Sequence, residues 1–561
     1  MDDPDQRKQE KDASHSGGGG DDAAQRKQQK EDASHAGGGG GETAVRAELR
    51  ALLKLSWPVA LATFCRVAMY STDTAFVGHI GANELSAASL AGAWTSLLSV
   101  LVWSSAYALN SVCAQAIGAG NKKLAGAWLQ IALAAVTIES VPVIAAYFFT
   151  TPVMALITGD STADDKAVTR LGQQYNTWAS MSLLPTVWYM AIRQFMQAMQ
   201  IVKPATIVSL LAVGANAGFN QLFIWGGLGG WEGVGFIGSP IATTASLCLQ
   251  LGLFCGYAFA YKGYHREYWG GWSCGVFRRS RLRAFLKIVV PMTIGSAVEN
   301  WGYQLITFSS GRLGSADVAA MSVLYNIWGV LWAFYWGWGL ALQVRVGLHL
   351  GAGDAAAAKL VARLSFKIVA VVVAVIGAGM LLCKTALAEL FTNDAAVVAL
   401  TVDALPVLAL DYALGCACLC ASNVLEGMSR NTVMAVVNGV GMWLVQVPVS
   451  IYFAFACPLF KDKPVQGFWW GSIVGEALKA LALWIVVWRT DWEKMSAEAI
   501  ERSEASAKAE AEADDAAAAA AAAAASGAAV EPGELKVTVG GSALASTEEE
   551  MRAPLLAAGE G

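Results

Sequence analysis

The segments LKLSWP (53–58), GHIG (78–81) and IGAGN (117–121) return later in the chain as LKIVVP (286–291), GRLG (311–314) and LGAGD (350–354). All three pairs share one offset, since 291 − 58, 311 − 78 and 351 − 118 each equal 233. One such match arises by chance, but three in order without a gap read as an internal duplication.

Around these anchors, apolar stretches of roughly 20 residues, long enough to cross a bilayer, recur about twelve times. They fall near 52–77, 86–115, 124–149, 170–196, 204–226, 236–261, 284–311, 318–348, 360–383, 400–425, 432–456 and 467–488. Six fit within one offset, so both halves enter the membrane in the same sense. The expected fold is an all-α polytopic membrane protein with about twelve transmembrane helices. They would form two six-helix lobes related by a pseudo-two-fold axis along the membrane normal, a layout of secondary transporters whose substrate site lies between the repeats.

The expected divisions are a disordered leader at 1–49, a first lobe at 50–261, a basic connection at 262–283, a second lobe at 284–490 and a low-complexity tail at 491–561. The leader repeats QRKQEKDASHSGGGG (6–20) as QRKQQKEDASHAGGGG (25–40), and the tail carries ten alanines at 516–525. Neither composition can bury a core.

Of the 561 residues, 55% are hydrophobic and 15% charged, with 21 Trp, which excludes a single soluble globule. The charge is concentrated at the ends: residues 1–54 carry 20 charged side chains and 489–561 carry 21, against 18 acidic and 24 basic in the 434 residues between. The net charge of −5 therefore comes from the tails and gives no sign of a nucleic-acid partner. An even helix count puts both termini on one side, and Lys262, Arg266, Arg278, Arg279, Arg281, Arg283 and Lys287 mark that side as cytoplasmic. No secretory signal peptide is visible. A plasma or a vacuolar-type membrane fits equally.

Most intramembrane positions lack ionisable groups, so the exceptions are functional candidates. A charge at mid-membrane costs about 2.5–3.5 kcal/mol on insertion scales. Glu299, in SAVENWGYQ near the middle of the seventh segment, is the strongest. A carboxyl group taken out of water holds a proton more readily, until a cation or the solvent of the opposite side displaces it. Asp411 lies in the tenth segment and Asp73 in the first, where Arg66, two turns earlier, could form a static ion pair with it. Asn216 and Asn220, one turn apart on the fifth segment, could complete an oxygen-lined cavity with Asp73 for H⁺ or Na⁺; interhelical hydrogen bonding is the plainer alternative. Glu139, just before Pro142 in the third segment, and Glu476, which could simply pair with Lys479 at i, i+3, rank lower. Trp328, Trp332 and Trp336 recur every four residues, and such a stripe can attract organic cations at about 0.5–2 kcal/mol per ring. Tyr303, Gln304, Asn326 and Trp332 are the further candidates for a cavity lining.

Catalytic chemistry has little to stand on. The five His occupy the leader and helix ends, no phosphate-binding loop is present, and Cys416, Cys418 and Cys420 lack the spacing and the His of a metal site. No cofactor is expected, and no metal beyond a possible Na⁺. A membrane enzyme or a receptor is disfavoured.

With these residues in view, residues 50–490 resemble the multidrug and toxic compound extrusion (MATE) family. The resemblance rests on TDTAFVGHIG, CAQAIGAGN, RQFMQAMQIVKP, SAVENWGYQ and VRVGLHLGAGD. It implies a V-shaped cavity between the lobes and export of organic compounds in exchange for H⁺ or Na⁺. It places Glu299 at the coupling glutamate of the seventh helix and Asp411 at the acid of the tenth. Asp73 and Asn216 match the first-lobe site of bacterial and archaeal members. Asn220 stands where those members usually carry Asp, Gln304 where animal relatives carry a second glutamate, and Glu426 where an Arg is common. The expected activity is proton-coupled antiport of organic cations or amphipathic metabolites by a monomer. Sodium coupling or a lipid or oligosaccharide-lipid flippase are the alternatives, the last disfavoured because the embedded charges are mainly acidic.

Overall fold

The repeated pentapeptides build the same corner twice. In the computed structural model, which describes residues 40–158, 162–227, 230–272, 274–392, 394–505 and 508, Gly120 and Gly353 have φ of 81° and 82°, a conformation that side chains disfavour. The amide of Asn121 donates to the carbonyl of Ala116, and that of Asp354 to His349, both at 2.9 Å, so each preceding helix ends in a glycine-dependent reverse turn. Asn121 Oδ1 then accepts from the Leu124 amide at 3.0 Å, and Asp354 Oδ1 from that of Ala357 at 2.8 Å, which starts the next helix. The first glycine of each motif serves contact instead. A Cβ on Gly118 would lie 2.1 Å from the carbonyl oxygen of Leu348, and one on Gly351 would lie 2.1 Å from that of Gln115. Gly118 and Gly351 are 233 apart, as are Gln115 and Leu348, so each contact is the image of the other.

Twelve long helices follow from the twelve apolar stretches: α1 (Gly40–Gly78), α2 (Ala82–Tyr107 continued by Leu109–Gly118), α3 (Lys122–Tyr147), α4 (Ala163–Ala198), α5 (Lys203–Asn220 with a π-helical end, Gln221–Trp225) and α6 (Gly238–Cys255 with a π-helical end, Gly256–Tyr261) make the first lobe. The second comprises α7 (Arg279–Ser310), α8 (Ser315–Gly351), α9 (Ala355–Leu382), α10 (Ala395–Gly427), α11 (Asn431–Val440, a π-helical turn Gly441–Gln446, and Val447–Phe455) and α12 (Pro464–Arg489). Ten of the twelve are apolar enough to cross a membrane by composition alone; α4 and α7 fall short. Their ends and cavity faces carry polar side chains, from Arg279 to Glu299 on α7 and from Gln173 to Arg193 on α4.

Two helical extensions go beyond the apolar runs. Residues 40–49, expected in the leader, belong to α1, where Glu48 pairs with Arg345 and His349 of α8. Residues 492–505, expected in the tail, form a further helix, α13. Its Trp492, Met495 and Ala499 are buried on one face, and Ser496 donates to the Leu350 carbonyl at 2.9 Å. That spacing was readable as an amphipathic stripe. The tandem repeat at 6–40, apart from Gly40 itself, the alanine run at 516–525 and Asp160 lie outside the described residues.

The lobes meet at the end that holds the corners after α2, α4, α8 and α10. There Asn110 Nδ2 donates to Gln343 Oε1 at 3.5 Å across 233 residues, Ser111 and Ser429 hydroxyls are 2.7 Å apart, and Gln115 Nε2 donates to the Gly427 carbonyl at 2.8 Å. Gly337 of α8 also sits where a Cβ would meet Ala60 and the Ser56 carbonyl of α1 within 2.7 Å. Side-chain hydrogen bonds and close helix crossings together seal this end.

Candidate functional site

Beyond the seal the helices diverge around a cavity of about 450 Å³, lined mainly by α7, α8, α10, α11 and α12, with Trp103 and Tyr107 from α2. The aromatic stripe of α8 faces into it. Trp328 and Trp332 are stacked at 4.6 Å between ring centroids, and Trp332 and Trp336 at 6.0 Å. Tyr107 meets the edge of Trp336 and Tyr303 the side of Trp328, so the wall is a continuous run of π faces. The ionisable residues lining this cavity, apart from tyrosines, are all acidic: Glu299, Asp411 and Glu426.

Glu299 comes from the middle of α7 and stands at the head of a cluster. Its Oε1 lies 3.4 Å from Lys479 Nζ, and Asn438 Nδ2 donates to its Oε2 at 3.5 Å. Lys479, fully buried on α12, is 2.7 Å from Glu476 Oε1, the same oxygen that accepts from the Tyr303 hydroxyl at 2.7 Å. The pairing of Glu476 with Lys479 expected at i, i+3 is therefore present, but it is joined to Glu299 and Tyr303 of another helix. Asp411 is 3% exposed, faces the same space as Glu299 and Glu476, and its Oδ1 has no hydrogen-bond partner in the structure.

In the first lobe, Asp73 faces a second cavity of about 410 Å³, which shares Trp103 with the larger one. Asn216 Nδ2 and Asn220 Nδ2 donate to Asp73 Oδ1 at 3.0 and 2.7 Å, and Thr243 Oγ1 donates to Oδ2 at 2.7 Å. Three donors thus satisfy the carboxylate. Among the described residues no ion pair joins Asp73 to Arg66, which instead lines a small adjoining cavity with Tyr70, Tyr189 and Arg193.

The sequence-based set therefore divides in two. Glu299, Asp411, Tyr303, Gln304 and Trp332 converge on the larger cavity, and Asp73, Asn216 and Asn220 form one hydrogen-bonded group. Asn326 corrects an expectation: it is exposed and donates to the Ser322 carbonyl of its own helix at 2.8 Å, because the cavity face of α8 is the Trp face. Glu139 accepts from Ser105 at 2.7 Å and lines neither cavity. The sequence reading missed Asn438, Thr243 and the reach of Lys479.

The duplication could have located two of them. Gln200 and Ser429 close matching turns after α4 and α10, each with φ of 61°, and 429 − 200 = 229. On that offset Asn438 and Lys479 correspond to Ser209 and Gln250, while Glu299, on the 233 offset, corresponds to Arg66. Arg66, Ser209 and Gln250 line one small cavity, with Gln250 Nε2 donating to Ser209 Oγ at 3.1 Å. The same three places hold Arg, Ser and Gln in one lobe and Glu, Asn and Lys in the other.

Comparison with known proteins agrees with this architecture. The family described as MatE matches residues 58–222 and 291–452, two segments whose starts are again 233 apart. Multidrug and toxin extrusion protein 1 of Oryctolagus cuniculus is 30% identical over 462 residues, covering 81% of this chain and 77% of the relative. The Homo sapiens protein of the same name is 29% identical over 463 residues, with the same coverage. Among solved structures, the eukaryotic MATE transporter AtDTX14 aligns with a TM-score of 0.74 at 22% identity, over 82% of this chain and 100% of that one. A Vibrio cholerae MATE transporter, VcmN, aligns with a TM-score of 0.70 at 17% identity, over 80% and 99%. The duplication, the two lobes and the cavity between them have one account: this chain belongs to the multidrug and toxin extrusion (MATE) family of membrane transporters.

Proposed function

We propose that the protein is a proton-coupled antiporter that exports organic cations or cationic amphipathic compounds by alternating access of the cavity between its lobes. The observation that carries this reading is the cavity wall itself, where a ladder of three Trp faces Glu299 and Asp411. Aromatic faces and carboxylates both favour a large, weakly hydrated cation, and no basic residue lines the cavity to receive a phosphate, which argues against a lipid flippase.

Coupling follows from competition. A proton and an organic cation cannot both neutralise the same carboxylate, so protonation from the acidic side releases substrate and deprotonation on the cytoplasmic side recaptures it. Only this difference in affinity between states can drive the cycle. With the basic connection at 262–283 cytoplasmic, the sealed end is cytoplasmic and the cavity opens away from it. The test is efflux of a fluorescent organic cation from proteoliposomes under an imposed pH gradient in sodium-free medium. Glu299→Gln is expected to abolish gradient-driven transport while the protein stays folded; unchanged transport removes Glu299 from the mechanism.

A further inference from the structure

We propose that Lys479 is a tethered counter-cation, whose ammonium occupies the place a metal ion would take among the second-lobe carboxylates and so excludes sodium while leaving room for a proton or an organic cation. The inference rests on the antiport reading above and names the residue that sets its ion specificity.

The geometry is that of a coordinated cation. Lys479 Nζ lies 2.7 Å from Glu476 Oε1, 3.4 Å from Glu299 Oε1 and 5.7 Å from the centre of the Tyr303 ring. The side chain is completely buried, and its stem packs where a Cβ on Gly441 of α11 would clash with it. It therefore cannot withdraw to solvent. A small hard cation would need these same carboxylate oxygens, and it would have to displace an ammonium that has nowhere to go.

Charge counting points the same way. Glu299 and Glu476 with Lys479 leave one negative charge uncompensated, and an uncompensated charge out of water is costly. The other groups facing this space include Asp411, Cys418 and Glu426 of α10, Tyr303 of α7 and Asn438 of α11, and no Lys, Arg or His is among them. At least one further positive charge is thus wanted at the cavity side of Glu299, where a proton or an organic cation arrives, whereas the inner side is already filled. The first lobe supplies the contrast: Gln250, at the repeat position of Lys479, donates to Ser209 and carries no charge.

The test measures sodium binding rather than transport. Purified wild type, Lys479→Met, Lys479→Arg and the double variant Lys479→Met/Glu476→Gln are equilibrated with radiolabelled sodium against choline, each with and without Glu299→Gln. The double variant removes both members of the buried pair together, which spares the fold an orphaned carboxylate. Wild type and Lys479→Arg should bind the same low level of sodium. Lys479→Met, or the double variant if the single one does not fold, should bind several-fold more, and this excess should vanish with Glu299→Gln. Sodium retention equal to wild type in every folded Lys479→Met background overturns the proposal, as does an excess that survives Glu299→Gln. PH-gradient-driven efflux by wild type without sodium is scored separately. Its absence would overturn the proton-coupled reading but not the assignment of Lys479 as the resident cation.

Discussion

Gly118→Ala and Gly351→Ala should loosen the sealed end, and the sign of the effect is not obvious from helix propensity. Each glycine lies in the last turn of a helix, where replacing Gly by Ala adds about 0.5–1 kcal/mol of helix stability. Against this, the new Cβ would sit 2.1 Å from the carbonyl oxygen of Leu348 or Gln115. The obstacle is backbone, so no side chain can swing aside, and α2 and α8 must move apart by more than an ångström to restore ordinary contact. Overpacking of this kind costs about 1–3 kcal/mol, which outweighs the propensity gain over most of that range. Because the clash exists only while the lobes are closed here, the cost falls on that state alone. A full 1–3 kcal/mol would lower the closed-to-open ratio about 5- to 150-fold; the propensity gain is common to both states and does not offset it.

The assay exploits Ser111 and Ser429, whose hydroxyls are 2.7 Å apart across the lobes. Ser111→Cys/Ser429→Cys should form an intramolecular disulfide readily in the glycine background. Trypsin cleavage in the Arg278–Arg283 region separates the lobes unless the bond has formed, so gel mobility reads the yield. Either alanine should reduce the crosslinking rate, and the two alanines together should reduce it further. Crosslinking and transport both equal to the glycine background would refute the view that these glycines exist to let the helices touch.

Three other outcomes follow from the same geometry. Trp332→Ala removes the central ring of the stacked ladder and should weaken cationic substrate affinity about 2- to 30-fold, the equivalent of about 0.5–2 kcal/mol, while Trp332→Phe retains part of it; competition binding with a neutral analogue of equal size should show a smaller loss. Asn220→Leu deprives Asp73 of its 2.7 Å donor and should lower stability by about 1–3 kcal/mol, read as a fall in Tm that Asp73→Asn in the same background largely reverses. Glu48→Gln weakens the link from α1 to Arg345 and His349, so the Ser111/Ser429 crosslink should form more slowly, with an effect that shrinks in Glu48→Gln/Arg345→Gln.

The helices were legible because bilayer thickness fixes their length, and each observed element covers its expected stretch to within two residues, most with additional polar turns at the ends. The acids were legible for the same reason, since few charges are tolerated at depth. What could not be read was which groups meet. Lys479 looked like a local partner of Glu476 because sequence spacing shows only neighbours on one helix; its contact with Glu299 depends on how α7 packs against α12. Asn326 was a candidate for the cavity lining, yet the helix turns it away from the cavity, where it is exposed and bonds the Ser322 carbonyl. Asn438 and Thr243 belong to residue types common at helix contacts, and only the tertiary structure singles them out.

The duplication explains the scaffold, and its departures locate the chemistry. Corners, caps and glycine contacts match between lobes because they serve a geometry both halves share. The ionisable residues at the cavities do not match. Glu299 occupies the repeat position of Arg66, and Lys479 that of Gln250, while the first lobe carries its acid at Asp73, whose repeat position on the 233 offset is the apolar Ile306. Had the two lobes kept equivalent charges, each would respond alike to a proton arriving from one side, and rocking about the axis would exchange equivalent sites. Placing a carboxylate with a resident ammonium in one lobe, and a carboxylate held only by neutral donors in the other, makes the two lobes respond differently. On this argument, exchanging Arg66 and Glu299 should leave the fold and the seal largely intact while abolishing gradient-driven efflux; efflux retained by Arg66→Glu/Glu299→Arg would show that the position of the charge within the duplicated frame does not matter.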